Sequence, residues 1–252
     1  MEMTKNSDEF KGKVALITGG ARGIGQATAL AFARRGANIV ICDVAEHGNE
    51  TLDAVEKLGS KGVYVHTNVA DSQSVENAVK TAISAFGRLD FAHNNAGIRA
   101  VANIADLADT DWKRVIDVNL TGVFLGMKYQ IPEILKTQGA IVNTASIFGM
   151  KGVPERSAYA ASKAGVISLT MTAASEYAEQ GIRVNAVAPG FIATEAAQNT
   201  LGNGAQPLID RTPRKKPGNP TDIAEAVVWL CSSYSLNVNG IVLPVDGGYM
   251  AN

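Results

Sequence analysis

Apolar residues along this chain follow two alternating rhythms. Short runs that stay apolar over consecutive positions occur at 13–18 (KVALIT), 38–43 (NIVICD), 63–67 (VYVHT), 89–95 (LDFAHNN), 140–146 (AIVNTAS), 182–189 (IRVNAVAP) and 240–245 (GIVLPV). Between them lie segments such as IGQATALAFARRG and SVENAVKTAISAFG. There apolar residues recur every three or four positions and a glycine closes the pattern, which predicts helices. Strands apolar on both faces, alternating with helices, predict a parallel sheet covered on both sides. Right-handed crossovers wind such a sheet into a doubly wound α/β fold, here of about seven strands with helices on both faces. No repeat, low-complexity tract or linker divides the chain, so residues 11–252 are expected to form a single domain. Residues 1–10 read as a disordered lead-in. The irregular stretch 195–220 is long for a connection and is expected to act as a substrate loop or lid.

Composition narrows the function. With 252 residues, 46% of them hydrophobic, the chain can bury a large core. A formal net charge of −1 gives no basic footprint for nucleic acid or an anionic membrane. No apolar run approaches the roughly 18 residues that span a bilayer, and MEMTKNSDEF lacks the apolar segment of a secretory signal. Two cysteines, Cys42 and Cys231, lie in separate apolar runs, and the three histidines are scattered. Neither a disulfide framework nor a metal site is expected, and a reduced, cytoplasmic protein is.

The first candidate chemistry follows the first strand, where TGGARGIG spans Thr18 to Gly25. Glycines on a strand-to-helix turn let backbone N–H groups approach a phosphate, and the helix N-terminus adds partial positive charge. In this strand–turn–helix context a Rossmann-type phosphate turn is expected rather than tight-turn glycines without a ligand. The second strand ends on Asp43, roughly 20 residues beyond the glycines, where a carboxylate suits the ribose hydroxyls of NAD and opposes the 2′-phosphate of NADP. Arg22 is the counterweight, since it can swing toward a 2′-phosphate. NAD is the expected cofactor, with NADP the weaker candidate. Asp43 could also cap a helix over AEHGNETLDAV, which does not exclude the cofactor role.

From Lys11 to Gly248 the sequence resembles the short-chain dehydrogenase/reductase family. Thr18, Gly19, Gly23 and Gly25 match its glycine signature, Asn94–Gly97 (NNAG) its fourth-strand motif, and PGFIAT at 189–194 its Pro-Gly segment. Asn68, in NVA, stands where the family usually has aspartate, and its amide oxygen could accept from the adenine amino group. The resemblance implies cofactor contacts at Gly19, Arg22, Gly23, Ile24 and Gly25, at Asp43, and at Asn68 and Val69. It extends them to Asn95, Ala96 and Gly97 and to Pro189, Gly190, Ile192 and Thr194, the last holding the carboxamide. It implies a catalytic set of Asn119, Ser146, Tyr159 and Lys163, with Tyr159 and Lys163 also touching the cofactor.

That set answers a chemical need. Oxidising an alcohol requires loss of the hydroxyl proton as hydride leaves, and a free tyrosine is about three pH units too basic for this at neutrality. Among six tyrosines only Tyr159 has a lysine four residues on, one helical turn away. The Lys163 charge favours phenolate and depresses the Tyr159 pKa. Ser146, thirteen residues before Tyr159, could donate to the substrate oxygen. By resemblance, Lys163 holds the nicotinamide ribose, and Asn119 anchors a water that links Lys163 to solvent.

Ile98, Ile147, Phe148 and Met150, together with the loop from 191 to 216, are expected to line the substrate pocket, whose near positions favour an uncharged, hydrophobic secondary alcohol or ketone. Lys151, Arg156, Arg211, Arg214, Lys215 and Lys216 are read as solvated surface. If they instead line the entrance, an NADPH-dependent 3-oxoacyl thioester reductase becomes the rival; a sugar or steroid dehydrogenase and a nucleotide-binding sensor without turnover are further alternatives. The resemblance also implies a homotetramer built through helices near 109–135 and 158–179 and the C-terminal strand, and YMAN at the end could reach a neighbouring subunit or a cation.

Overall fold

The computed structural model describes residues 8–45, 48–194 and 206–251. Seven strands, β1 (Val14–Thr18), β2 (Asn38–Asp43), β3 (Gly62–His66), β4 (Phe91–Asn94), β5 (Ala140–Thr144), β6 (Arg183–Pro189) and β7 (Val242–Val245), pair in parallel throughout. Their order across the sheet is β3-β2-β1-β4-β5-β6-β7. The helices are α1 (Gly23–Ala33), α2 (Gly48–Lys57), α3 (Ser72–Phe86), α4 (Asp109–Ile116), α5 (Gly122–Ile134), α6 (Ser157–Tyr177), α7 (Gln206–Arg211) and α8 (Pro220–Cys231).

The strand pleat sends alternate residues to two cores. From β1, Val14 and Leu16 pack with α3, α5 and α6, whereas Ala15 and Ile17 pack with α1, α2 and α8. This is why the strands read as unbroken apolar runs. Helix α3 shows the end signals that the sequence carries. The Asp71 carboxylate accepts from the Ser74 N–H at 2.8 Å, and Gly87 stops the helix at φ 76°.

Two expectations are corrected. The predicted runs 89–95 and 140–146 leave the sheet early, because Asn95 gives its N–H to the Thr18 hydroxyl and Ser146 caps a short 3-10 turn. The helix expected over 109–135 is interrupted at Asp117–Thr121, a π-helical segment that carries Asn119. Helix α2 is described from Gly48, and the Asp43 carboxylate accepts from the Ala45 N–H ahead of it. Phe10, expected within a disordered lead-in, is instead packed in the core. Residues 1–7 lie outside the described residues, but Phe10 is 2% exposed, its ring 5.3 Å from Phe32 and 4.9 Å from Phe91. A single aromatic in a polar stretch carries no period, and its burial depends on partners far along the chain. Phe10→Ala should therefore cost about 3 kcal/mol of stability in denaturant unfolding. A loss below about 1 kcal/mol would place the ring outside the core's cooperative unit.

Candidate active site

Dinucleotide sites in doubly wound folds lie beyond the carboxyl ends of the strands, where the strand order reverses. Here that point lies between β1 and β4. Gly19 turns at φ 64°, and a Cβ on Gly25 would sit 2.0 Å from the Gly19 carbonyl oxygen. Only hydrogen fits between them, so the turn closes tightly against α1. Arg22 begins α1 in extended conformation and gives no side-chain cap, leaving first-turn N–H groups for an anion. The residues present thus fit a pyrophosphate. Ile24 lines the adjoining cavity, and Thr194 packs its methyl against Gly23, bringing the Pro189–Thr194 segment over the turn.

Around this turn the expected contacts converge. The Asp43 carboxylate accepts from the Ala21 N–H at 3.0 Å and the Ala45 N–H at 3.1 Å, so it braces the glycine turn while remaining at the tip of β2. Arg22 is exposed. Asn95 donates its side-chain amide to the Thr18 and Gly19 carbonyls, and Ala96 donates its N–H to the Thr18 hydroxyl. Val69 is buried beside Gly122, and the Asn68 side-chain oxygen accepts from the Ala70 N–H at 3.1 Å. That oxygen has a second lone pair left for an adenine. Gly190 is held to β7 by its N–H to the Val245 carbonyl, and Ile192 is buried where it pairs with Gly218.

The catalytic candidates also meet. Ser146, at the end of β5, accepts from the Phe148 N–H at 3.1 Å, which leaves its own proton to donate. Tyr159 enters from the first turn of α6 and is 9% exposed. Burial alone would raise its pKa. The Lys163 ammonium, the Arg99 guanidinium and the neighbouring Ser146 hydroxyl outweigh burial, and the phenol lies below its usual value. The Lys163 Nζ is 5.8 Å from the Tyr159 ring centroid and donates to the Thr144 carbonyl at 2.6 Å. Burial lowers its pKa, as does Arg99, against the opposing pull of Tyr159.

Asn119 is fully buried, and its amide is committed: the oxygen accepts from the Ile98 N–H at 2.8 Å, and the nitrogen donates to the Ile98 carbonyl and to Ser162. It fixes the loop after β4, and a Cβ on Gly97 would touch both Asn119 and Lys163. Anchoring a water does not fall to its side-chain donors.

A cavity of about 250 Å³ opens beside Ser146 and Tyr159. Ile147 and Phe148 line it as expected, but Ile98 and Met150 do not, and Met150 is 42% exposed. Phe191 and Leu208, from the 191–216 loop expected to border the pocket, supply apolar wall, and Tyr249 adds wall that the sequence reading missed. Tyr249 is placed by a turn in which Asp246 accepts from the Gly248 and Met250 N–H groups. Arg156, read as solvated surface, lines this cavity together with Arg99. Of the expected lid, residues 195–205 lie outside the described residues, as does Asn252, while α7 contributes Pro207 and Leu208.

The remaining reactive groups lie off this site or are silenced. Burial pushes the Cys42 and Cys231 thiols up to about 12. The His93 imidazole, in contact with the Thr144 hydroxyl at 2.8 Å, falls to about 3 through burial and then the Lys163 charge. Among the described residues no cluster could hold a metal ion, and no helix is long and apolar enough to cross a membrane.

A family model described as enoyl-(acyl carrier protein) reductase matches residues 19–250. A cyclohexanol dehydrogenase from an Acinetobacter species is 42% identical, over 96% of this chain and 97% of that protein. A 3-oxoacyl-[acyl-carrier-protein] reductase from Thermotoga maritima is 40% identical, over 95% and 98% respectively. The crystal structure of carveol dehydrogenase from Mycobacterium avium in complex with NAD superposes with a TM-score of 0.92 at 32% identity, covering 97% of this chain and 99% of that one. Another matching structure, from Agrobacterium tumefaciens, holds NADP. With its seven-stranded parallel sheet, its glycine turn and the Tyr159–Lys163 pair, the chain belongs to the short-chain dehydrogenase/reductase family of nicotinamide-dependent oxidoreductases that act on CH–OH groups.

Proposed function

We propose that this chain interconverts secondary alcohols and ketones on a compact hydrophobic frame, using NAD(H), with Tyr159 as the acid/base. The observation that carries the reading is a buried phenol on the cavity wall, its pKa held down by Lys163 and Arg99 beside the Ser146 hydroxyl. A bound nicotinamide supplies or accepts the hydride. In alcohol oxidation the Tyr159 phenolate takes the substrate hydroxyl proton, and in ketone reduction the phenol returns it. The Ser146 hydroxyl donates to the substrate oxygen and steadies its developing negative charge. Lys163 stays beside the phenol through its bond to the Thr144 carbonyl. Asn119 is a positioning residue that holds the Gly97–Ile98 loop against Lys163.

Asp43 supports NAD over NADP, because its carboxylate is pinned by two backbone N–H groups at the tip of β2. A 2′-phosphate would meet a fixed like charge there, which is how a site rejects the wrong partner. Asp43→Ala should raise the ratio of NADPH-linked to NADH-linked kcat/KM by about tenfold or more. An unchanged ratio would move cofactor selection to Arg22.

Ile147, Phe148, Val153, Phe191 and Leu208 give the cavity its apolar wall, and the likeness to a cyclohexanol dehydrogenase supports a small alicyclic or comparable substrate. Reduction of 3-oxoacyl thioesters is the second reading, favoured by the Thermotoga maritima relative and by the two arginines at the cavity. We also infer a homotetramer. Phe124 and Met171 stand about half exposed on α5 and α6, the helices through which such association is expected.

A further inference from the structure

Among the described residues the two arginines on the cavity wall form no ion pair. Arg99 holds its guanidinium carbon 5.5 Å from the Tyr159 ring centroid, and Arg156 stands close enough that the two guanidiniums repel. Among the described residues no carboxylate lies within 4 Å of either one. The Arg156 guanidinium donates a long hydrogen bond, 3.4 Å, to the adjacent Glu155 carbonyl. Burial and then the like charge of Arg99 work against the Arg156 cation and outweigh the opposing pull of the Glu155 charge.

Surface arginines seldom need such an arrangement, and the backbone here is built to produce it. Glu155 adopts φ 61°, a left-handed conformation costly for a residue with a side chain. The bend leaves the Glu155 side chain exposed while Arg156 lines the cavity. Ala102 then bonds its N–H to the Glu155 carbonyl at 3.2 Å, and Ala102 pairs with Arg156 in an isolated parallel bridge. The loop that carries Arg99 is thereby tied to the loop that carries Arg156. Arg99 is exposed and also bonds the Tyr159 phenol, and Arg156 is half-buried, so both guanidiniums reach one apolar cavity; a carboxylate held there relieves their repulsion and accepts from both.

We propose that Arg99 and Arg156 form a carboxylate subsite, and that the substrate is a hydroxy or oxo acid whose hydrophobic frame separates the reacting carbon from its carboxylate. This rests on the proposed alcohol–ketone reaction and adds a charge to the hydrophobic substrate expected from sequence. Arg156 is the position to test. Arg99 also influences the Tyr159 phenol, so its loss would mix binding with proton transfer, whereas Arg156 is not among the groups acting on that phenol.

The experiment compares oxocyclohexanecarboxylates with their methyl esters, which share a frame and differ in charge. In the unaltered protein the acid should exceed its ester in kcat/KM by about tenfold or more. In Arg156→Leu the acid-to-ester ratio should fall by about 10- to 100-fold, the range expected for a lost charge-assisted bond, and Arg156→Lys should restore part of it. Equal use of acid and ester, or a ratio that Arg156→Leu leaves unchanged, would overturn the subsite. A turnover-independent arm separates this from the reaction itself. Calorimetric titration with cyclohexanecarboxylate and cyclohexanecarboxamide should show tighter binding of the carboxylate, weakened in Arg156→Leu; equal or reversed affinities would overturn the subsite even if no ketone is reduced. Failure to reduce any ketone, with the carboxylate still preferred in binding, would count against the proposed reaction and for the subsite.

Discussion

Replacing Tyr159 with phenylalanine should lower kcat for both alcohol oxidation and ketone reduction by roughly 10³- to 10⁴-fold, the upper range for a positioned acid/base. The change deletes one hydroxyl and keeps the ring, so its packing in α6 and its contacts with the Lys163 and Arg99 cations persist. NADH affinity, read by fluorescence titration, should change by less than about threefold. The glycine turn, Asp43 and the Asn95 clamp lie on other elements and remain whole. A variant that still turns over at more than a tenth of the original rate would remove Tyr159 from the proton path. One that loses NADH binding along with turnover would make it a structural residue.

The second large effect concerns Lys163. Lys163→Met should reduce kcat/KM for alcohol oxidation at neutral pH by about 10²-fold. It should also move the pH profile in a stated direction. Burial raises the Tyr159 pKa, and the Lys163 charge is the largest of the influences that bring it down. Oxidation needs the phenolate, so its rate rises as pH climbs through this pKa. Removing the ammonium raises the pKa, and the rising limb must shift to higher pH. Arg99 remains and still favours phenolate, so the shift stops short of a tyrosine buried alone. A limb that stays in place, or moves to lower pH, would mean that Lys163 does not tune the phenol.

Much of this architecture is written locally. A parallel sheet buried on both faces forces continuous apolar runs, which is why all seven strands are readable to within two or three residues at their ends. The Gly19–Gly25 turn and the Tyr159–Lys163 spacing are equally local, since each is a short-range answer to a steric or electrostatic demand. What escaped the sequence is decided by chain segments far apart. Phe10 is core only because Phe32 and Phe91 complete its cluster. Tyr249 reaches the cavity from the far C-terminal turn. Arg156 faces inward because Glu155 accepts a left-handed backbone and Ala102 holds it there, a geometry that no charge count along the chain reveals. Ile98 and Met150 failed as pocket residues for the same reason: adjacency in sequence to Gly97 and to Ile147–Phe148 does not decide which way a loop residue faces.

The central claim is that this site runs NAD-linked alcohol–ketone chemistry on a small hydrophobic frame. One steady-state comparison tests it most directly: kcat/KM for NADH-linked reduction of alicyclic ketones against NADPH-linked reduction of 3-oxoacyl thioesters, in the unaltered protein. The account predicts the NADH-linked ketone reaction to be faster by about tenfold or more. Faster NADPH-linked thioester reduction would contradict both the cofactor and the substrate class assigned here.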